Sequence, residues 1–366
     1  MIKRIVKSVL WRTGISRAVP PMIWESVSAG DKVKFVFEQT RNPRFPVNFE
    51  DGEISTSFTE QNANYAQVKD FVLEVQGPAL IEPKLGIVIL NKRKFLEQSR
   101  NHTYTYPDTF QYLKYKMGMA PVIDLDEVIH YDGYVGDNYY NFHADILIAF
   151  CWAINEAGLK LDKPVVVGQQ IYNSRQFQWL LKNTDLFKGI NWVVLDGKSY
   201  VRVNKLYKAW TFLPELKAWQ NMAALYNPPA VAEPTRKVYL YRAPQFGRTV
   251  KNIEEIKPVL DKYGFEMIDT GEMPIEEQVK LFAETKYLVA IHGAGIINII
   301  FSNYSKLSLL EILPGREKLN THFYWLAESL GCKYDALLTE DMNMAKKFRL
   351  EPDVLEHYIQ KMLANS

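Results

Sequence analysis

His292-Gly293-Ala294-Gly295 follows directly on the apolar run Tyr287 to Ile291, and a helical pattern opens at Ile296. A strand that ends in a glycine turn and feeds a helix makes an anion site. Backbone N–H groups and the helix dipole converge on one spot there, and the glycines let a phosphate approach closely. Taken alone the turn is a weak signal, since a tight strand-to-helix connection with no ligand looks the same, and it is not the GxGxxG fingerprint of dinucleotide folds. Its neighbours strengthen it. Arg242 ends an earlier strand-like run, Arg248 lies in the loop beyond, and Asn252 and Glu254 follow. In a doubly wound sheet, strand C-termini open into one crevice, which would gather Arg242, His292 and Glu311. Two arginines can neutralise a diphosphate without a metal ion, and Glu311 can accept hydrogen bonds from ribose hydroxyls. Singly, the arginines read as solvated loop charge and Glu311 as a strand-end cap or salt bridge; the grouping favours a site.

A second cluster runs Asn138-Tyr139-Tyr140-Asn141-Phe142-His143-Ala144-Asp145. If a helix starts near Tyr140, Asn141 and Asp145 are i, i+4 neighbours on one face, while His143 is turned about 200° from Asp145. Regular helix therefore cannot present both His143 and Asp145 to one cleft. Asp145 also fits a buried polar anchor, His143 a packed histidine, and Asp137 or Asn138 the helix N-cap. Asp124-Leu125-Asp126 puts two carboxylates on one face of a strand, the Asp-x-Asp spacing that holds a divalent metal in GT-A glycosyltransferases. Three residues match often by chance, so metal binding is not expected from them.

These residues need elements to carry them. The chain has 366 residues, enough for two domains or one large one. Apolar residues at 47% and charged residues at 23% exclude long disorder and a collagen-like chain. Two cysteines, Cys151 and Cys332, with no CxxC or Cys/His ligand spacing, exclude a zinc module and a disulfide scaffold and fit a reducing compartment. Forty-four basic against forty-two acidic side chains leave +2, too balanced for a dedicated nucleic-acid binder. Strand-like runs at 33–37, 71–75, 86–90 and 122–125 precede a long apolar helix over about 140–157. A strand at 165–167, a helix at 175–182 and a strand at 192–195 follow. Three prolines within 227–235 forbid regular structure and mark a linker. Beyond it the rhythm restarts, with strands at 238–241, 265–268, 287–291, 307–312 and 334–338 and helices at 253–263 and 275–284. Buried strands alternating with helices predict α/β architecture with parallel sheets covered on both faces.

Several of these pieces resemble the core of the family 61 glycosyltransferases. They are Leu240-Tyr241-Arg242, Arg248-Thr249-Val250-Lys251-Asn252 with Glu254, Glu277-Gln278-Val279 with Leu281-Phe282, Ala290 to Gly295 with Asn298, Leu310-Glu311, and Trp325 to Gly331 with Tyr334. The 138–145 segment is similar to the family's Asn-Tyr-Tyr-His-Trp signature with an acid four residues past the histidine, although Asn141 stands where that histidine usually does. The resemblance implies a GT-B fold of two Rossmann-like domains facing a cleft, and inverting, metal-independent transfer from a nucleotide-sugar, commonly UDP-linked. Arg242, Arg248, Asn252, His292, Gly293, Ala294, Gly295, Asn298 and Glu311 would bind the donor. Asn138, Tyr139 and Asn141 would lie on the acceptor side. Such a transfer needs one general base for the acceptor hydroxyl; Asp145 is the first candidate and His143 the second. No cofactor is then required, the donor being a substrate.

The expected boundaries are a basic amphipathic helix over 1–20, an acceptor-side α/β domain over 21–212, a linker over 213–235, a donor domain over 236–345 and a C-terminal helix over 346–366. Residues 1–17 carry Lys3, Arg4, Lys7, Arg12 and Arg17 and no acid, with apolar residues at helical spacing. That pattern suits either packing on the body or contact with an anionic membrane surface. With no secretory leader and no apolar run of about 18 residues, the expectation is a cytoplasmic enzyme at the inner face of the cell membrane, near a glycan or lipid-linked glycan acceptor. A capsule or surface-polysaccharide role would follow. Two other readings compete: a nucleotide-sugar epimerase of similar architecture, which would act on donor alone, and a non-catalytic membrane-surface scaffold, which would bind no nucleotide.

Overall fold

The computed structural model describes residues 24–365 apart from 29, 31, 92–93, 100–105, 134, 243–248, 314, 316–318 and 340–346. The basic segment 1–20 and Arg248 thus lie outside the described residues. Two sheets organise the rest. The first has nine strands: β1 (Glu25–Val27), β2 (Val33–Arg41), β3 (Val68–Ile81), β4 (Val88–Ile89), β5 (Lys94–Leu96), β6 (Val122–Tyr131), β7 (Val165–Val167), β8 (Trp192–Val194) and β9 (Tyr200–Trp210). Their order is β1-β5-β4-β3-β9-β6-β7-β8, with β2 also paired to β3. This sheet is mixed, not parallel as expected. β6 runs parallel to β7 and β9, but β3 runs antiparallel to β2, β4 and β9.

The second sheet is all parallel, in the order β11-β10-β12-β13-β14. Its strands are β10 (Arg236–Leu240), β11 (Glu266–Ile268), β12 (Thr285–Ile291), β13 (Ser308–Leu313) and β14 (Lys333–Leu338). β13 is buried along its whole length, as a strand covered on both faces must be. Numbered within the half, the order is 2-1-3-4-5, the doubly wound arrangement whose crevice opens between its first and third strands. Helices Ile253–Lys262 and Pro352–Ala364 pack together on this half. Among the described residues no helix is long and apolar enough to cross a membrane.

The halves share apolar contacts. Phe142, Leu147 and Trp152 of the first half belong to one buried cluster with Leu240, Leu288 and Ile296 of the second. Helix Gly52–Ala63 packs against the second half: Phe58 meets Tyr324 at 5.0 Å between ring centres, and Trp325 donates to Asn62 at 2.7 Å. The stretch 213–235 is not all linker, because it holds helix Leu216–Ala223, whose Trp219 and Met222 are fully buried. Within it only 213–215 and 227–235 are irregular.

Candidate active site

The crevice predicted by the strand order is occupied by a pocket of about 350 Å³. Arg242 reaches it from just beyond β10, Asp269 to Gly271 from beyond β11, and Gly293 to Gly295 from beyond β12. The chain then runs into the 3-10 helix Ala294–Phe301, tighter than the α-helix expected from the sequence. Both glycines are there because backbone must come close. A Cβ on Gly293 would sit 3.1 Å from Nη1 of Arg242, and one on Gly295 3.2 Å from Thr270 Oγ1. Arg242 is half-buried and, among the described residues, makes no hydrogen bond or ion pair. Burial pushes its pKa down, against the opposing field of Asp269. A half-buried guanidinium whose donors face a pocket suits an anion there.

The other expected donor residues sit behind this pocket. His292 donates from Nδ1 to Glu311 Oε1, and Tyr334 donates to Oε2 at 2.7 Å. Glu311 is fully buried with both oxygens engaged, so it braces the turn from beneath instead of meeting ribose hydroxyls. Asn252 exchanges hydrogen bonds with the backbone of Leu350, at 2.8 and 3.1 Å, and does not line the pocket. Asn298 is buried too. It accepts from the Tyr139 hydroxyl at 2.7 Å and donates to Gln278 at 2.8 Å, while Gln278 holds the carbonyls of Thr270 and Met273. Glu311 and Asn298 are therefore corrected from contact residues to residues that hold the pocket's walls, and Asn252 to one that ties the start of the 253–262 helix to Leu350.

Sequence reading missed Arg175. It comes from helix Arg175–Asn183 of the first half, lines the same pocket, and donates to the carbonyls of Gly271 and Met273. A lone arginine at a helix start carries no motif, so only the docking of the two halves reveals it.

A larger cavity, about 540 Å³, opens on the other side of the segment 139–141. Asn138 caps that helix, accepting from the N–H groups of Tyr140 and Asn141 at 2.9 and 3.3 Å. Tyr139 lines the smaller pocket; Tyr140 and Asn141 line the larger, Tyr140 stacking on His322 at 5.7 Å. The helix continues through a π-helical turn, Phe142–Leu147, in which the N–H of Ile148 reaches back to the carbonyl of His143, then runs on as Ile148–Asn155.

Asp145 lines the larger cavity and accepts from Asn141 Nδ2 at 2.7 Å, the i, i+4 pairing expected. Water reaches its carboxyl from the cavity, yet protein crowds it on the other sides, and that desolvation raises its pKa to about 6. His143 turns away, as the helix arithmetic required. It is fully buried, donates from Nδ1 to the carbonyl of Tyr139 at 2.7 Å and accepts at Nε2 from the Tyr226 hydroxyl at 2.6 Å. Burial drops its pKa to about 4, so it stays neutral and out of the cavity's reach. Asp124 and Asp126 have cross-strand partners on β9, Arg202 and Asn204. Among the described residues no three His, Cys, Asp or Glu side chains gather as a metal-ligand set.

No curated protein matches the chain. The family model for glycosyltransferase 61 matches residues 88–306, more than half of its length, and the chain therefore belongs to that family. The match begins in a stretch where no motif is readable and spans both cavities' helix walls.

Proposed function

We propose that this family 61 glycosyltransferase is an inverting enzyme of GT-B type that moves a sugar from a UDP-linked donor to a glycan hydroxyl without a divalent metal. One observation carries the reading: two consecutive residues, Tyr139 and Tyr140, line different cavities, so a pocket suited to a diphosphate and one suited to a sugar lie back to back. Arg242, Arg175 and the start of the 294–301 helix face the diphosphate and offset its charge. The acceptor lies in the larger cavity, against Tyr140 and His322, and the donor's sugar reaches it past the edge of the 139–141 segment while the diphosphate stays in the smaller pocket. The acceptor's hydroxyl oxygen bonds to the anomeric carbon as the bond from that carbon to the diphosphate oxygen breaks, and Asp145 takes the hydroxyl proton. In-line displacement inverts the anomeric centre. Family resemblance supports a place in capsule or surface-polysaccharide assembly at the cytoplasmic face of the membrane.

The test is a thermal-shift screen of UDP, GDP and CMP with their sugar conjugates, run with EDTA and again with manganese. A ligand at a hundredfold excess over Kd adds about 2.7 kcal/mol of apparent stability. A shift with one nucleotide family in EDTA, followed by acceptor-dependent release of that nucleotide, is expected. A response that requires manganese overturns metal independence. Isomerised product from donor alone replaces transfer with epimerisation.

A further inference from the structure

The larger cavity holds ionisable groups that proton abstraction does not use. Lys208 on β9 and His130 on β6 are each 4% exposed, Asp132 just beyond β6 is 7% exposed, and all three line the cavity. Lys208 donates to His130 Nδ1 at 3.2 Å and to the Asp132 carbonyl at 2.5 Å; His130 Nε2 donates to the Gly86 carbonyl at 2.8 Å. That chain fixes the imidazole as neutral and leaves the ammonium one unused N–H of its three. Among the described residues Lys208 makes no ion pair.

The Asp132 carboxylate is equally deliberate. Oδ1 accepts from the Gly133 N–H at 2.7 Å, while Oδ2 accepts no hydrogen bond among the described residues. A Cβ on Gly86 would fall 2.3 Å from Oδ2, and one on Gly168 2.7 Å from it. Gly86, at φ +66°, and Gly168 together leave the space this carboxylate occupies. Burial presses the ammonium's pKa down and the carboxyl's up, each opposed by the other's field. Keeping both charges where apolar side chains would pack costs stability.

We propose, resting on the acceptor reading of this cavity, that Lys208 and Asp132 form a clamp for two neighbouring hydroxyls of an uncharged acceptor sugar. The ammonium donates to one hydroxyl oxygen, and the carboxylate accepts from the next hydroxyl. Charge selects a neutral sugar over a uronate, because the walls present Asp132 and Asp145 against one ammonium. The clamp stands on the sheet wall and Asp145 on the helix wall, so the sugar is gripped on one side and deprotonated on the other.

UDP-loaded protein titrated by NMR with methyl glucoside, galactoside, mannoside and xyloside, their monodeoxy analogues and methyl glucuronide tests this. Lys208→Met and Asp132→Asn should each weaken the best neutral glycoside about tenfold, with UDP affinity unchanged. Removing one hydroxyl from the sugar should cost the wild type that same factor and cost the matching variant nothing, a pattern a merely structural lysine would not produce. Unchanged glycoside binding in the variants overturns the clamp, as does a wild type indifferent to every single deoxygenation. A glucuronide preference that Lys208→Met abolishes replaces it with an anion site. Wild type that binds UDP but no glycoside overturns the clamp alone; binding of neither overturns the donor reading with it.

Discussion

The two cavities are built by opposite means. The smaller gathers three strand ends of a parallel sheet, a glycine turn and the start of a 3-10 helix, with half-buried Arg242 resting on glycine and Arg175 reaching in from the first half. The larger lies between the ends of two central strands and a helix, where Asp145, Asp132, Lys208 and His130 have pKa values that burial has shifted. The first can bind a diphosphate with few titrating groups, and it should care about shape. The second should care about pH and about individual functional groups. Both cavities open at the ends of parallel strands, β6 and β9 for the larger one, so what separates them is that the first lines its crevice with glycine and the second with buried charge.

Mutations can break this contrast or sharpen it. The largest effect belongs to Asp145→Asn, which should lower the transfer rate by about 10²- to 10⁴-fold while nucleotide binding measured by thermal shift stays as in wild type. Arg242→Ala should do the reverse, weakening UDP by roughly 10- to 100-fold, the equivalent of about 1.5–3 kcal/mol for hydrogen bonds to a charged group. Transfer should also fall about fivefold between pH 6 and pH 5, because the base must be ionised and its pKa is about 6; UDP affinity should not follow that limb. Gly293→Val tests shape alone. Its φ of 172° suits any residue, but the added Cβ crowds Arg242, so UDP should weaken several-fold at unchanged melting temperature.

Smaller effects separate architecture from chemistry. His143→Gln disturbs the bonds to Tyr139 and Tyr226 and should lower the melting temperature by a few degrees, leaving the acid limb of the pH profile in place. Asp145→Asn should raise the melting temperature by roughly 2 °C at pH 8. A carboxyl whose folded pKa is raised stabilises the fold fully below the ordinary carboxylate range, and that contribution is lost as pH rises through about 6. The gain should therefore vanish near pH 4.

The same contrast explains what was legible beforehand. The second half announces itself: its strands carry apolar stretches spaced by helices, and all five were readable along with the glycine turn that one of them feeds. The roles of Glu311, Asn252 and Asn298 were not readable, because a motif identifies a neighbourhood and not which side chains turn outward. In the first half β9 escaped notice. Residues 200–210 alternate buried Tyr200, Val201, Val203, Leu206 and Lys208 with Arg202 and Asn204 outside, a mixed face that reads as loop until the partner strand is known. Its period-2 alternation was the available signal, and missing it hid Lys208. The 138–145 segment lies between these extremes. The i, i+4 geometry separated Asp145 from His143 correctly, since helical spacing is local.

The π-helical turn at Phe142–Leu147 has a consequence for how this gene can vary. A wider turn accommodates one more residue than the regular spiral beside it. Downstream, Ile148–Asn155 is locked in the core by Phe150 and Trp152; upstream, Tyr139 to Asn141 form the partition between the cavities. Losing a single codon inside the turn would restore the ordinary i to i−4 ladder with the partition in nearly the same register, whereas losing one from the regular helix Ile148–Asn155 would swing the partition by about 100° against its anchor. The reading frame and the strands would survive either change, but only the second would cost both cavities their common wall.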